Sequence, residues 1–96
     1  MSLSALALHP SDNVATAVRP LEKGESVEVA LDGEVIKVVL PQSIPFGHKF
    51  ALKDIGPGEP VVKYGETIGR ATVGIRKGDH VHLHNVEGLR GRGDRT

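Results

Sequence analysis

Three histidines alternate with apolar residues in Asp79-His80-Val81-His82-Leu83-His84-Asn85, the period of a half-buried strand. Such a strand puts His80, His82 and His84 on one face, with Val81 and Leu83 on the other. Imidazole is the side chain best suited to ligating a metal or moving a proton near neutral pH. Spacing limits the chemistry. Strand residues two apart lie roughly 6.5–7 Å from each other and residues four apart about 13 Å, against a metal–nitrogen bond of about 2 Å. One ion can join His80 with His82, or His82 with His84, but not all three. Further ligands must come from another segment or another chain. The plain alternative is a solvated strand face.

The elements that must position this row belong to one small domain. The chain has 96 residues, a length that buries about 60–65% of the unfolded surface. Phe46, Phe50 and Tyr64 are its aromatics, so the core is expected from Val, Ile, Leu and Ala. Twelve basic and twelve acidic residues cancel, which argues against a nucleic-acid binder with its basic stripe. Without cysteine, disulfides and thiolate metal sites are excluded. The apolar stretch Ser2 to Leu8 lacks the basic flank and length of a secretory signal, and no segment is long enough to span a membrane. A soluble cytoplasmic protein is the expectation.

One turn pattern recurs. Leu21-Glu22-Lys23-Gly24-Glu25-Ser26-Val27, Ile55-Gly56-Pro57-Gly58-Glu59-Pro60-Val61 and Ile75-Arg76-Lys77-Gly78-Asp79-His80-Val81 each run aliphatic, two residues on Lys or Pro, then Gly, acid, any residue, Val. This is the chemistry of a tight turn entering a strand. The unequal spacings rule out a solenoid and suit a compact all-β domain. Strands are expected at Asn13–Val18, at Ser26–Leu31 and Glu34–Leu40 around the Asp32-Gly33 hairpin, at Phe50–Leu52, at Pro60–Tyr64 and at Ile68–Val73. Lys53-Asp54-Ile55 is expected to form a helical turn. Residues 1–87 make the domain and 88–96 a flexible Gly/Arg tail, whose Arg92-Gly93-Asp94 is discounted as a chance adhesion motif.

Four segments together carry a resemblance: His9-Pro10-x-Asp12-Asn13-Val14-Ala15, Ile44-Pro45-Phe46-Gly47-His48-Lys49-Phe50-Ala51, Lys63-Tyr64-Gly65-Glu66-x-Ile68-Gly69 and His82-x-His84-Asn85. In order and spacing they resemble the N-terminal, or small-subunit, module of the altronate and galactarate dehydratase family. That module is an SAF-type domain with a β-clip fold, here expected to carry at most short helical turns. The related (2R)-sulfolactate sulfo-lyase uses a separate small subunit of similar size. Because the chain stops soon after His82-x-His84-Asn85, it is expected to resemble the free-standing form. The resemblance implies β-elimination from a hydroxy acid such as altronate or galactarate, in partnership with a large catalytic subunit and with a divalent metal such as iron. The sulfolactate branch would expel sulfite instead. Such reactions need a base for the C–H α to a carboxylate, stabilisation of the enediolate, and an acid or metal at the leaving group.

His82 and His84 are then the candidates for metal ligation or proton transfer, with Asn85 orienting an imidazole or binding a substrate hydroxyl. His80 fits the family pattern less firmly. His48 and Lys49 lie in a Pro/Gly-rigidified loop suited to holding substrate, His48 as a further catalytic candidate and Lys49 as a partner for a carboxylate. His9, Asp12 and Asn13 are candidate substrate contacts, or a local loop cap. Tyr64 offers a phenol to the pocket or packs with its hydroxyl at the rim. Both His9 and His48 are expected to approach the His82–His84 face from loops. Besides the lyase subunit, with or without self-association into a homo-oligomer, two other classes stand: a non-catalytic SAF binding module and an autonomous metal protein.

Overall fold

The computed structural model describes residues 3–88. Nine strands and no helix fill them: β1 (Ala5–Leu6), β2 (Val14–Ala17), β3 (Ser26–Leu31), β4 (Glu34–Val39), β5 (Lys49–Ala51), β6 (Pro60–Lys63), β7 (Glu66–Ala71), β8 (His80–Val81) and β9 (Val86–Gly88). All pairings are antiparallel, so the all-β expectation holds. A central sheet runs β1-β2-β5-β8, beside a two-stranded β3-β4 hairpin and a β6-β7-β9 sheet. The hairpin turns at Asp32-Gly33, both at positive φ (52° and 78°), as a two-residue type I′ connection requires. The expected helical turn at Lys53-Asp54-Ile55 does not form. Ile55 instead exchanges backbone hydrogen bonds with Ile75 at 2.8 Å, a pairing too distant in sequence to read from local propensity.

Alternation along the central sheet feeds two cores. Ala15, Ala17, Phe50 and Leu52 pack against Val27, Val29 and Val38 of the hairpin, whereas Val14, Ala51 and Val81 pack against Val61 and Ala71 of the outer sheet. Small residues on β2 let both layers approach closely, with Phe50 supplying the bulk opposite Ala15. β1, not expected from the sequence, is one edge strand of the central sheet, pairing Ala5 with Ala17. β9 reaches Gly88. The remainder of the expected tail, with Arg92-Gly93-Asp94, lies outside the described residues.

The turn pattern occurs four times, not three. Ile44-Pro45-Phe46-Gly47-His48-Lys49-Phe50 has the same course as the other copies, with its glycine at positive φ (84°) like Gly24, Gly58 and Gly78. The leading aliphatic residues pair across copies, Leu21 with Ile44 and Ile55 with Ile75. The closing Val27, Phe50, Val61 and Val81 are all buried. In three copies the acid accepts a hydrogen bond from the N–H of the second residue: Glu25 from Glu22 at 3.0 Å, Glu59 from Gly56 at 2.6 Å and Asp79 from Arg76 at 2.9 Å. In the remaining copy the second residue is Pro45, which has no N–H to donate. A carboxylate there would have nothing to hold, and His48 takes its place.

Candidate functional site

The histidine row is not a strand. β8 stops at Val81, and residues 82–85 form a turn in which the N–H groups of Asn85 and Val86 both donate to the His82 carbonyl at 3.1 Å. The buried Asn85 side chain explains the departure. Its Oδ1 accepts from the His82 N–H at 3.0 Å and its Nδ2 donates to the His80 carbonyl at 2.8 Å, satisfying backbone groups that a longer ladder would have paired. Leu83, expected on an apolar face, is 85% exposed. Curling the chain draws the imidazoles together: ring centroids of His80 and His84 lie 5.2 Å apart, against the longer spacing of an extended row.

His48 completes the cluster from the neighbouring strand. β5 and β8 pair Phe50 with His80, and alternation puts His48 and Phe50 on the same side as His80 and His82. His48 Nδ1 and His80 Nε2 share a hydrogen bond of 2.8 Å. The His48 ring stacks on His82 at 4.1 Å and on His80 at 5.1 Å. One nitrogen from each of His48, His80 and His82 can be chosen so that all lie within 4.8 Å of one another. His80, the doubtful member of the row on sequence grounds, touches each of the other three rings. Its own N–H donates to Gln42 Oε1 at 3.3 Å. Sequence reasoning missed Gln42, whose only signal is a polar side chain between Pro41 and Pro45.

Two rings of the cluster, His80 and His82, are biased toward their neutral forms. Burial, then the neighbouring His48, His84, His82 and Lys49, holds His80 below the ordinary imidazole value. Burial again leads for His82, followed by His48, Lys49 and His84. Lys49 is next to His48 in sequence, yet alternation turns it to the opposite face of β5. There burial, then the charge of Lys63, lowers its ammonium below the usual value. Its field still reaches the imidazoles, but it does not belong to their cluster.

The remaining candidates gather elsewhere. His9 lies in the β1–β2 connection, beyond the Val14–Ala51 end of the central sheet, whereas His48 bonds Ala17 at the other end. Its ring packs over Gly65, where an added Cβ would stand 3.0 Å from His9 Cδ2, and its Nδ1 meets Ser11 Oγ at 2.7 Å. The expectation that His9 and His48 converge on one face therefore gives way to two separate locations. Asp12 is buried and accepts from Leu8, His9 and Gly65 N–H groups at 3.0, 3.1 and 2.8 Å. Burial works against its ionisation, but those three N–H groups together with that of Tyr64 outweigh it and lower the carboxyl. Asn13 clasps β6, donating to Pro60 O at 2.9 Å and accepting from Val62 N at 2.8 Å. Tyr64 sits at positive φ (53°) in the β6–β7 turn, with the Lys63 ammonium 5.1 Å from its ring. Asp12, Asn13 and Asn85 are thus backbone clasps, and only Asn85 clasps the histidine segment.

Imidazole nitrogens suit Zn²⁺, Fe²⁺, Ni²⁺ and Cu²⁺, so the His48–His80–His82 donor set fits a divalent iron. The group contains no carboxylate, which disfavours Mg²⁺ and Ca²⁺.

Residues 3–89 match the family described as the altronate/galactarate dehydratase SAF domain. The chain is 46% identical over 81 residues to altronate dehydratase of Escherichia coli, covering 84% of this chain and 16% of that protein. It is 37% identical over 84 residues to altronate dehydratase of Bacillus subtilis, covering 88% of this chain and again 16% of the relative. To the (2R)-sulfolactate sulfo-lyase subunit alpha of Chromohalobacter salexigens it is 34% identical over 84 residues, and there the match takes in 83% of this chain and 89% of the relative.

Proposed function

Because the chain belongs to the altronate/galactarate dehydratase SAF domain family, we propose that it is the small module of a hydroxy-acid lyase, working with a larger catalytic partner. The observation that carries this reading is the imidazole cluster of His48, His80, His82 and His84 on the face of a module that, in its relatives, is 16% of a dehydratase or nearly all of a lyase subunit alpha. A cluster open on one side is suited to completion by a second protein surface. The reaction is β-elimination of water from a sugar acid such as altronate or galactarate.

Elimination removes a proton α to the carboxylate and expels the neighbouring hydroxyl with its bonding electrons, so the leaving oxygen must gain a proton or a positive partner. The imidazole face serves that side. In the His48–His80 pair one nitrogen donates and the other accepts, and this shared proton would be displaced where the same two nitrogens hold a metal. His84, against His80 but outside the three-nitrogen group, is placed to deliver a proton. His48, His80 and His82 would hold a divalent metal such as iron, and the chemistry this ion supplies when bound is neutralisation of charge on the substrate oxygens. Asn85 fixes the backbone from which His80 and His82 project. The α-proton base is assigned to the partner, because His48, His80 and His82 would be engaged in holding the metal and His84 in protonating the leaving oxygen.

Sulfite elimination is the second reading, favoured by coverage of 89% of a sulfolactate sulfo-lyase subunit alpha. The same imidazoles would then face a sulfonate leaving group. Co-expression with the product of an adjacent dehydratase-like reading frame, followed by assay on altronate, galactarate and sulfolactate, tests both. Turnover of a sugar acid supports the first reading, and turnover of sulfolactate alone supports the second. A complex that forms but turns over none of the three would overturn the lyase assignment in favour of a binding module.

A further inference from the structure

We infer that His48, His80 and His82 form a three-nitrogen binding site for a late first-row divalent metal ion, complete on this chain without any partner protein. The family resemblance points to His82 with His84, but the three nitrogens that lie within 4.8 Å of one another come from His48, His80 and His82. At bonds of about 2.0–2.1 Å, ligands of a tetrahedral ion stand roughly 3.3–3.4 Å apart and adjacent ligands of an octahedral one roughly 2.8–3.0 Å. His48 Nδ1 and His80 Nε2, at 2.8 Å, are already close to that separation.

Two further features distinguish the cluster from a chance surface grouping. Its three backbones are held independently of any ion: His48 through its bond to Ala17 at 2.8 Å, His80 and His82 through the two arms of Asn85. The sequence has also dispensed with a turn cap at position 48, where the other copies carry Glu25, Glu59 and Asp79. The His48 and His82 rings are stacked at 14°, so their lone pairs lie in nearly parallel planes and do not converge on one point. Binding therefore requires rotation about the Cβ–Cγ bonds, a broad and soft torsion for imidazole. Three imidazoles leave the remaining coordination positions open to water or a substrate oxygen. Their softness selects Zn²⁺, Co²⁺, Ni²⁺ or Fe²⁺ over Mg²⁺.

The test needs neither substrate nor partner, so its outcome is separable from the lyase reading. Titration of the 96-residue chain with Zn²⁺ and Co²⁺ by calorimetry and visible absorption should give one ion per chain, with no saturable heat for Mg²⁺. Long-range proton–nitrogen NMR spectra of the unaltered chain should show Zn²⁺ moving the ring nitrogens of His48, His80 and His82, while those of His9 stay in place. His48→Ala, His80→Gln and His82→Ala should each weaken Zn²⁺ binding by at least about 10-fold, and His84→Ala should bind as tightly as the unaltered chain. Absence of saturable Zn²⁺ binding would overturn the inference. So would shifts confined to His82 and His84, whichever variants fold.

Discussion

A proton shared between His48 Nδ1 and His80 Nε2 at 2.8 Å couples two rings that lie far apart in the sequence. In either tautomer, one ring keeps a lone pair on its other nitrogen. Removing His80 unties this pair and also takes away the ring between His48 and His84. In an assembled lyase His80→Ala should therefore lower turnover by about 10²-fold or more, the scale of an acid–base contribution, whereas His9→Ala should leave kcat near that of the parent. Steady-state kinetics of the two variants with the partner present decides this. An ideal strand would make His80 the outlying member of the row; the turn at 82–85 makes it central. Asn85→Ala would leave the His82 N–H and the His80 carbonyl without partners. It should cost about 1–3 kcal/mol of stability, read from denaturant unfolding, and reduce turnover through misplaced rings. Asn85→Asp keeps an acceptor for His82 but no donor for His80, so its activity should fall between the two. That histidines would gather, with Asn85 beside them, was legible from residue type and spacing. The loop cap at Asp12 is one of two readings the sequence leaves open. That Asn13 would clasp backbone across the fold, and Asn85 the backbone of its own turn, was not legible, because residue type alone does not say whether an Asx side chain turns to solvent or to the chain.

Each copy of the repeated turn delivers a buried aliphatic or aromatic residue into a core and leaves one position for a polar cap. Glu59→Ala and Asp79→Ala remove caps that accept at 2.6 and 2.9 Å, and each should lower stability by about 0.5–2 kcal/mol, by analogy with lost helix caps. His48→Ala should lose little by this route, since Pro45 offers no N–H to the equivalent position. Thermal melts of the three variants would show the contrast, and a His48→Ala loss equal to the others would mean the ring stack itself stabilises the turn. The recurring glycine and the Asp32-Gly33 hairpin were readable because turns with positive φ restrict composition sharply. The fourth copy escaped notice because its acid and its Val are replaced by His48 and Phe50. The short strands β1 and β9 carry too few residues for a period to register, and non-local pairing alone defines them, whereas β8 is the start of the alternating row that the turn at 82–85 cuts short.

Asp12 joins the layers of the molecule, reaching from the β1–β2 connection to the β6–β7 turn at Gly65. Its folded carboxyl is held below the ordinary 3.8, so it binds protons less readily in the folded chain than in the unfolded one. The stabilisation is fully present above that ordinary value and is lost as pH falls through the folded pKa. Asp12→Asn should thus be less stable at neutral pH and show a shallower loss on acidification below about pH 4, measured by denaturant unfolding across pH. The two-core layering could not be read from composition, because only the pairing of β2 with β5 reveals which alternate residues face which layer. Assembly is the remaining question at this scale. Phe46 and Leu83 are 68% and 85% exposed, one in the turn that carries His48 and the other between His82 and His84. A large catalytic subunit that closes over the imidazoles would bury both side chains, each worth about 1.5–3 kcal/mol when fully removed from water. Neither contributes to the two cores, so Phe46→Asp and Leu83→Asp should leave the melting temperature of the isolated chain unchanged. Each should weaken complex formation with the catalytic subunit by at least about tenfold, since tenfold corresponds to about 1.4 kcal/mol, and turnover should recover when that subunit is supplied in excess. The isolated chain should show no dehydration at any concentration, because its imidazole face is open to water that the reaction must exclude. Sedimentation and activity measured on the same mixtures would separate the cases: turnover without complex, or complex unaffected by both substitutions, would place the partner on another face.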